Sequence, residues 1–265
     1  MEILILAVVT LPLLTALFLK VANRFLNELL TNFITINAAL LSVAVSFFMF
    51  GYLLLDKFKP IKFELFEWYP SPQIIFEFYL DGLSGVMMIL ISGLSLVIQL
   101  FSTSYMSKDE KYTKYFEYFN FFVFSMLLLV LSGNFLVMFF GWELVGLSSY
   151  LLISFWYEKN SAAKAGNKAF ILNRIGDFGF LIGLMMILNY FETFNFVNIF
   201  ESVLIKHPSN LDLIILFLLL GAFGKSAQFP LFSWLPDAME GPTPASALIH
   251  AATMVTAGVF MLVRV

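Results

Sequence analysis

The chain has 265 residues, of which 60% are hydrophobic, 18% aromatic and 12% charged. A soluble fold of this composition would expose more apolar surface than soluble monomers tolerate, so the sequence predicts an integral membrane protein. The formal net charge of −3, without a basic block, argues against nucleic-acid binding. The sequence has no cysteine, which excludes disulfides, thiolate nucleophiles and cysteine-bound iron–sulfur or zinc sites from this chain.

The apolar segments predict an all-α polytopic membrane protein with about eight transmembrane helices. A spanning helix needs roughly 20 mostly apolar residues. Segments of this kind lie at about 3–19, 33–55, 83–106, 118–132, 134–156, 169–190, 211–229 and 245–265. The fourth leaves little room for a turn before the fifth, so seven crossings are an alternative. The first lacks a basic leader and a small-residue cleavage site, and we interpret it as a retained span.

Lysine and arginine counts on alternate loops predict the orientation of the chain. One set of loops carries eight such residues: Lys20, Arg24, Lys108, Lys111, Lys114, Lys159, Lys164 and Lys168. The other set carries four: Lys57, Lys59, Lys62 and Lys206. We expect the first set to face the cytoplasm or the mitochondrial matrix, here called the inner side, with the N-terminus on the outer side.

Two connections carry further patterns. Residues 61–80 alternate apolar and polar side chains on either side of a proline-containing turn, which predicts a small extramembrane β-hairpin. An irregular amphipathic surface loop is the alternative. His207 lies on the loop before the seventh span and is interpreted as exposed. Asp237 and Glu240, before the eighth span, indicate either an ordinary polar turn or a water-filled access.

Charged residues inside the spans are the strongest functional signal, because each costs at least ~2.5–3.5 kcal/mol at the centre of a helix. Glu143 lies nine residues past Asn134. At about 1.5 Å per residue it is roughly 13 Å into the fifth span, near the midplane. Burial favours the protonated carboxyl and a nearby cation favours the carboxylate, so this group can switch. A permanently protonated Glu143 with one interhelical hydrogen bond is the alternative.

Lys225 is the second such residue, about fourteen residues into the seventh span. Pro230 lacks an amide hydrogen, so the carbonyl of Ser226 loses its normal helical partner and the helix should break between Lys225 and Pro230. Broken helices at membrane depth mark ion sites in transporters. We therefore expect Lys225 to load and release a proton. A lysine whose side chain extends to the surface from a short helix is the alternative.

Three further titratable residues extend this pattern. Arg174 and Asp177 open the sixth span at positions i and i+3 of one helix face, so we expect them to pair. The same pair would also suit a simple interfacial anchor. His250 lies roughly two turns into the eighth span, where an imidazole suits a proton relay. A histidine held by a neighbouring hydroxyl is the alternative.

Three segments then carry a family resemblance: GWELVG at 141–146, NRIGD at 173–177, and the stretch from GKSAQFP at 224–230 through WLPDAMEGPTP at 234–244 to HAATMV at 250–255. They closely resemble the chain 5 family of NADH:ubiquinone oxidoreductase, the antiporter-like subunits of respiratory complex I. The large subunits of multisubunit sodium/proton antiporters are similar. The resemblance implies that Glu143 and Lys225 form a charge pair coupled to proton transfer, with Asp177 as the sixth-helix acid and His250 as the link to the next half-channel.

The resemblance also implies a domain organisation and a set of partners. Residues 1–117 would be N-terminal helices with the hairpin at 61–80, and residues 118–265 would be the first repeat of an inverted-repeat antiporter-like fold. The second repeat is missing from this chain, and we expect a separate chain to supply that C-terminal half. The other complex I membrane-arm subunits would be its further partners. This chain would hold no cofactor or metal, while FMN, iron–sulfur clusters and ubiquinone would bind in partner subunits. Lipids would surround it.

Three functional hypotheses follow. The leading one is a proton-translocating subunit of complex I, a translocase without redox chemistry of its own, in the mitochondrial inner membrane. The Phe-rich, cysteine-free composition favours that membrane over a bacterial plasma membrane. The alternatives are the large subunit of a cation/proton antiporter and a purely structural membrane subunit. Retention of Glu143, Lys225 and His250 together argues against the structural hypothesis.

Overall fold

A computed structural model of the chain describes residues 1–70, 73–206 and 210–265. Its longer elements are α1 (Glu2–Ala22), α2 (Glu28–Leu55), β1 (Ile61–Pro70), β2 (Gln73–Leu80), α3 (Gly82–Tyr105), α4 (Tyr112–Val130), α5 (Phe135–Ile153), α6 (Asn160–Phe191), α7 (Phe196–Lys206), α8 (Leu211–Lys225), α9 (Trp234–Asp237), α10 (Thr243–Ala247) and α11 (Met254–Arg264). Short 3₁₀ turns lie at Leu231–Ser233 and Ala238–Glu240, and a π-helical turn lies at Leu248–Ala252. His207 lies outside the described residues.

The predicted all-α membrane fold is confirmed, and each of the eight predicted segments is helical. In the described part of the chain, six helical stretches are long and apolar enough to cross a membrane: Glu2–Ala22, Glu28–Leu55, Gly82–Tyr105, Phe135–Ile153, Asn160–Phe191 and Thr243–Arg264. The other two are α4, which begins with polar residues before the predicted start at 118, and α8, whose 15 residues end at the predicted break. The prediction of about eight spans is therefore consistent with the structure.

Side-chain caps start three of these helices. Asn27, Asp81 and Asn134 each accept a hydrogen bond from the backbone amide three residues later, at 2.9, 2.9 and 2.8 Å. Such caps satisfy amide groups that have no partner inside the helix. Asn134 also explains how the tight connection between the fourth and fifth spans turns within so few residues.

The predicted hairpin at 61–80 is confirmed as β1 paired antiparallel with β2, although residues 71 and 72 lie outside the described part. It lies against the connection between α4 and α5. The amide of Tyr79 donates to the carbonyl of Leu131 at 2.8 Å, and the amide of Gly133 donates to the carbonyl of Glu77 at 2.9 Å. The hairpin is thus attached to the helix bundle rather than hanging free.

The Glu77 side chain is the polar centre of this attachment. It is 5% exposed and accepts hydrogen bonds from the side-chain amides of Asn195, at 2.7 Å, and Asn134, at 3.3 Å. Burial raises the pKa of the Glu77 carboxyl above its usual range, and these two hydrogen bonds oppose the shift only in part. The carboxyl therefore links β2 to the start of α5 and to the segment before α7.

Helix α7 was not among the predicted elements. Its 11 residues are too few to span a membrane, so it is not one of the long apolar segments that predict spans. The signal was nevertheless present, because Phe196, Ile199, Phe200 and Val203 follow the i, i+3, i+4, i+7 pattern of an amphipathic helix. Phe196 and Ile199 are buried against the bundle.

Three ion pairs lie near the ends of the bundle, on the sides predicted from the alternating loops. The hairpin lies at one end, together with Arg264, which donates to both carboxylate oxygens of Asp81 at 2.5 and 3.0 Å. At the other end, Lys168 pairs with Asp237 at 2.7 Å. Lys111 and Glu158 pair there at 2.6 Å. This second end carries the loops that we predict to face the inner side.

Candidate functional site

The predicted break after Lys225 is present, and its backbone is well ordered by hydrogen bonds. Helix α8 ends at Lys225, and Ala227 adopts a left-handed conformation with φ of 50°. The amide of Gln228 donates to the carbonyl of Phe223 at 2.9 Å, as in a Schellman motif. The site therefore has a fixed helix end at the lysine, and such C-terminal carbonyls stabilise a cation.

Two side chains satisfy carbonyl groups that the break exposes. The Ser226 carbonyl, which Pro230 deprives of its helical partner, accepts a hydrogen bond from the Gln228 side-chain amide at 3.1 Å. The indole of Trp234 donates to the carbonyl of Gly224 at 3.0 Å. Buried backbone groups without partners are costly, so these contacts stabilise a broken helix at membrane depth.

Lys225 lies inside the bundle between α5, α6 and α8. Its side chain is fully buried, at 0% exposure, and its Nζ lies 3.5 Å from Oδ2 of Asp177. A separation of 3.5 Å is too long for a strong hydrogen bond. Space for the ammonium group comes from Gly146 on α5, because a Cβ at that position would lie 2.7 Å from the Lys225 Nζ. The alternative, in which the Lys225 side chain extends to the surface from a short helix, does not fit this burial.

Asp177 is held from the opposite side by Trp142. The Trp142 indole nitrogen donates to Oδ1 of Asp177 at 2.6 Å, and both residues are buried. The Lys225 Nζ also lies 5.7 Å from the centroid of a Trp142 ring, within the range of a cation–π contact. Trp142 therefore contacts both members of the buried ion pair. Sequence reasoning missed this residue, although it precedes Glu143 directly in the chain.

The ion-pair partners differ from those expected. Arg174 pairs with Glu143 rather than with Asp177, so the predicted Arg174–Asp177 pair is wrong for this structure. Asp177, not Glu143, is the acid paired with Lys225. The physical reason is helix rotation: α5 presents consecutive residues, Trp142 and Glu143, to two positions of α6 that are almost one turn apart.

The two ion pairs differ in their exposure. Asp177 and Lys225 are both inside the bundle, whereas the Arg174 and Glu143 side chains are 41% and 20% exposed. The Arg174 guanidinium also lies 4.8 Å from the ring centroid of Phe170. The site thus has a partly exposed pair and a buried pair, whose α6 residues lie on adjacent turns of that helix. Arg174 and Asp177 remain neighbours along that helix, each with a partner on another helix.

Glycines allow α6 and α8 to approach closely beside this site. A Cβ on Gly176 would lie 3.0 Å from the Cα of Gly224. Small residues at such contacts are a common means of packing helices in membranes. Gly176 precedes Asp177, and Gly224 precedes Lys225. The close backbone contact therefore sets the distance between the two charged side chains.

His250 lies on the π-helical turn Leu248–Ala252, between α10 and α11. Sequence reasoning predicted a continuous helix here, but π-turns commonly occur at functional positions. The imidazole is stacked on Trp234, with ring centroids 6.1 Å apart, and neither ring nitrogen has a hydrogen-bond partner among the described residues. The predicted alternative of a histidine held by a hydroxyl therefore does not fit this structure.

Polar residues also line a cavity of about 380 Å³ at the Lys168 end of the bundle. Asp237 pairs there with Lys168, and Ser161 donates to Glu240 at 2.9 Å. Both acids line the cavity. Asp237 and Glu240 thus lie on a polar turn that also lines a cavity, which fits both alternatives, the ordinary polar turn and the water-filled access. In the described part of the chain, no group of three His, Asp or Glu side chains is suitably placed for a metal ion.

Two family models match the chain. The model described as "NADH:quinone oxidoreductase/Mrp antiporter, TM" matches residues 132–265, which include all five predicted site residues. The model described as "NADH-Ubiquinone oxidoreductase (complex I), chain 5 N-terminus" matches residues 68–116. Together they cover most of the chain.

Individual relatives and solved structures agree with these matches. The chain is 43% identical to NADH-ubiquinone oxidoreductase chain 5 of Metridium senile over 97% of its own length and 43% of that protein. It is 46% identical to NADH-quinone oxidoreductase subunit L of Mycobacterium tuberculosis over 78% of its own length and 33% of that protein. The chain therefore spans less than half the length of these relatives.

Two solved membrane complexes contain a similar fold. A chain of the Mrp complex from Dietzia sp. DQ12-45-1b superposes with a TM-score of 0.81 at 26% identity, over 96% of this chain and 27% of that one. A chain of the membrane-bound sulfane sulfur reductase, an archaeal respiratory membrane complex, superposes with a TM-score of 0.83 at 23% identity, over 97% and 52% respectively. The second likeness concerns the fold alone.

Proposed function

Because the chain belongs to the NADH:quinone oxidoreductase/Mrp antiporter family of membrane proteins, we propose that it translocates protons as a membrane-arm subunit of NADH:ubiquinone oxidoreductase. The observation that carries the proposal is the fully buried Lys225, which lies at a helix break and faces a carboxylate. A purely structural helix gains nothing from such a lysine, since burying a charge is costly. FMN, iron–sulfur clusters and ubiquinone would belong to partner subunits.

Lys225 is the proposed proton carrier. While Asp177 lies 3.5 Å away, the carboxylate offsets the charge of the ammonium, and the carbonyl end of α8 adds to this effect. If Asp177 takes another partner, the ammonium is left without its counter-charge in a medium of low dielectric constant. Loss of a proton from Nζ then removes that unfavourable charge. The proton load of Lys225 would thus depend on the partner of Asp177.

Arg174 is the proposed competitor for Asp177. It lies one helical turn before Asp177 on α6, and Glu143 holds it in the present arrangement. In an exchange of ion-pair partners, Arg174 would move from Glu143 to Asp177. Glu143 and Lys225 would then lose their present partners. The Arg174–Asp177 pair expected from the sequence would then be the second state of the same site. Glu143 would control the exchange through its own protonation.

His250 is the proposed next proton acceptor. Trp234 supports this role because it stacks on the imidazole and also donates to the carbonyl of Gly224, which precedes Lys225. A proton released from the Lys225 Nζ would bind to a ring nitrogen of His250 through a hydrogen-bonded chain. Imidazole is suited to this step because its charge changes near neutral pH.

The direct test is Lys225→Ala in the assembled complex. We expect proton translocation by reconstituted vesicles to fall at least about tenfold, since no other proposed group can replace the carrier. Lys111→Ala is the matched control, because Lys111 is also a paired lysine but lies on the surface. Equal translocation by the Lys225 and Lys111 variants, with normal assembly, would favour the structural hypothesis.

An antiporter subunit is the second candidate, because the matched family model covers Mrp antiporters and a chain of an Mrp complex shares the fold. The match of residues 68–116 to the chain 5 N-terminus favours complex I. Gentle solubilisation followed by mass spectrometry separates the two candidates. Flavin and iron–sulfur subunits in the purified assembly would support complex I, and small antiporter subunits alone would contradict it.

The same preparation tests two remaining predictions. The first is that a separate chain carries the second helical repeat, which would co-purify as a distinct polypeptide. The second is location in the mitochondrial inner membrane rather than a bacterial plasma membrane, which fractionation of the source cells would decide. The composition supports the mitochondrial location, and relatives of both kinds are found.

A further inference from the structure

A groove on the outside of the bundle combines an apolar wall with a charged rim. Its volume is about 640 Å³, and it runs between α1, α4 and α5. The wall is formed by Leu13 and Leu17 of α1, Phe121 of α4, and Leu147 and Leu151 of α5. Leu17 and Leu147 are 49% and 39% exposed. These residues belong to predicted spans, so the wall faces the hydrocarbon of the bilayer.

The rim lies at the end of the groove that we predict to face the inner side. It carries Lys20 and Asn23 from the end of α1 and the following turn, and Lys114 and Glu117 from the start of α4. Two lysines and one glutamate give the rim a formal charge of +1. The lysines offer ammonium donors and Asn23 offers an amide, so the rim suits a singly charged anion.

The distance between wall and rim fits within one leaflet of a bilayer. Leu13 and Lys20 are seven residues apart on α1, which corresponds to roughly 10 Å along the helix. One leaflet contributes about 15 Å of hydrocarbon. A wall beginning at Leu13 therefore accompanies acyl chains, while Lys20 reaches the level of the headgroups.

We propose that this groove binds one anionic phospholipid of the inner leaflet, with its phosphate between Lys20 and Lys114 and an acyl chain along the leucine wall. Charge complementarity selects the class of lipid, because a phosphodiester of charge −1 balances the +1 rim whereas a zwitterionic headgroup leaves it unbalanced. Basic pockets at the inner ends of membrane helices are known to select acidic headgroups in this way. The inference is independent of the proposed proton transfer.

The test uses the intact, purified complex after exchange into phosphatidylcholine. Phosphatidylglycerol is titrated back, and the lipid retained per complex is counted by native mass spectrometry. We expect one tightly held phosphatidylglycerol for the natural sequence and binding on the order of tenfold to thirtyfold weaker for the Lys20→Ala/Lys114→Ala double variant. The double variant Lys20→Arg/Lys114→Arg should retain the lipid, since it keeps the charge.

Lys108→Ala/Lys164→Ala is the matched control, because these two exposed lysines lie on the same predicted side but do not line the groove. Equal lipid counts for this control and the Lys20→Ala/Lys114→Ala variant would overturn the proposal. A photo-reactive side chain at Leu17 identifies the occupant directly. Cross-linking to phospholipid supports the proposal, whereas cross-linking to another polypeptide contradicts it. Inorganic phosphate that competes as well as phosphatidylglycerol would also contradict it, because the leucine wall would then contribute nothing.

Discussion

Two polar interiors of the bundle differ in kind. Between α2, α3 and α4 the buried polar contacts are neutral, as in Thr31 with Thr113 at 3.2 Å and Ser102 with Tyr115 at 3.1 Å. Between α5, α6 and α8 they are charged, and the principal pair is Lys225 with Asp177. Neutral hydrogen bonds join membrane helices without a dependence on protonation, whereas charges allow a change of state. We therefore expect α2, α3 and α4 to stabilise the bundle, and α5, α6 and α8 to change their state of protonation.

The largest effect is expected from Asp177→Asn. This substitution removes the negative charge from the buried Lys225–Asp177 pair but keeps the shape of the side chain. Lys225 is then buried without a counter-charge, an arrangement that costs about 3–5 kcal/mol if the ammonium persists. We expect Lys225 to remain neutral and proton translocation to fall to the background level. The measurement is proton uptake by vesicles that contain the purified complex.

Glu158→Gln is the matched control for this experiment. Glu158 is paired with Lys111, but its side chain is 72% exposed, and surface pairs contribute little. Translocation should therefore remain near the natural level. If Asp177→Asn translocated protons as well as Glu158→Gln, the charged residues between α5, α6 and α8 would not be needed for translocation.

A smaller effect is expected from Trp142→Phe, which keeps an aromatic ring but removes the indole hydrogen bond to Asp177. A hydrogen bond to a charged group contributes about 1.5–3 kcal/mol, so the balance between the partners of Asp177 should shift roughly tenfold or more. We expect slower translocation with a shifted pH profile. A lower rate with an unchanged pH profile would instead indicate that Trp142 only fills space.

The neutral interior should respond differently. Ser102→Ala removes the contact with Tyr115, and we expect the unfolding free energy to fall by about 1 kcal/mol, since hydrogen bonds between membrane helices are individually weak. Proton translocation by the folded complex should be unchanged. Thermal unfolding in detergent measures the first effect, with the exposed Ser107→Ala as control. A large loss of translocation would show that this interior also takes part in proton transfer.

The smallest effect concerns the hairpin, whose attachment depends on Glu77. Burial raises the pKa of the Glu77 carboxyl in the folded protein. The attachment is therefore most stable at a pH below the pKa of Glu77 in the unfolded chain, and it weakens as the pH rises through the pKa of Glu77 in the folded protein. Hydrogen exchange of the β2 amides, corrected for intrinsic rates, should show this trend. Glu77→Gln should abolish it, whereas the exposed Glu67→Gln should not. If the pH dependence of hydrogen exchange persisted in Glu77→Gln, another titratable group would be its cause.

The main features of the fold could be predicted because they depend on local composition. Long apolar segments, the alternation at 61–80 and the proline after Lys225 each carry their own signal. The π-turn at His250 does not, since a single wide turn changes neither hydropathy nor periodicity clearly. Helix α7 carries an amphipathic pattern, but its 11 residues are too short to be detected as a span. The alternation at 61–80 also left the choice between a hairpin and a loop open.

The charged residues that the structure brings together could be predicted, but their pairing could not. Glu143, Arg174, Asp177 and Lys225 were identified because charges in apolar spans are rare. Their partners depend on how α5 and α8 rotate against α6, which neighbouring residues along one helix cannot reveal. The role of Trp142 was hidden for the same reason. The inference from i, i+3 spacing favoured a pair within α6, whereas the packed helices placed both partners elsewhere.

The end of α8 has a mechanical consequence. Its last carbonyls are held by Gln228 and Trp234, so the corner after Lys225 is braced rather than loose. A swinging motion of the segments on either side of this corner would have to break both hydrogen bonds. In the proton transfer proposed above, we expect charge to advance by rotation of side chains while the helices stay in place. We therefore expect the gating step of the proposed proton transfer to be an exchange of ion-pair partners rather than a movement of helices.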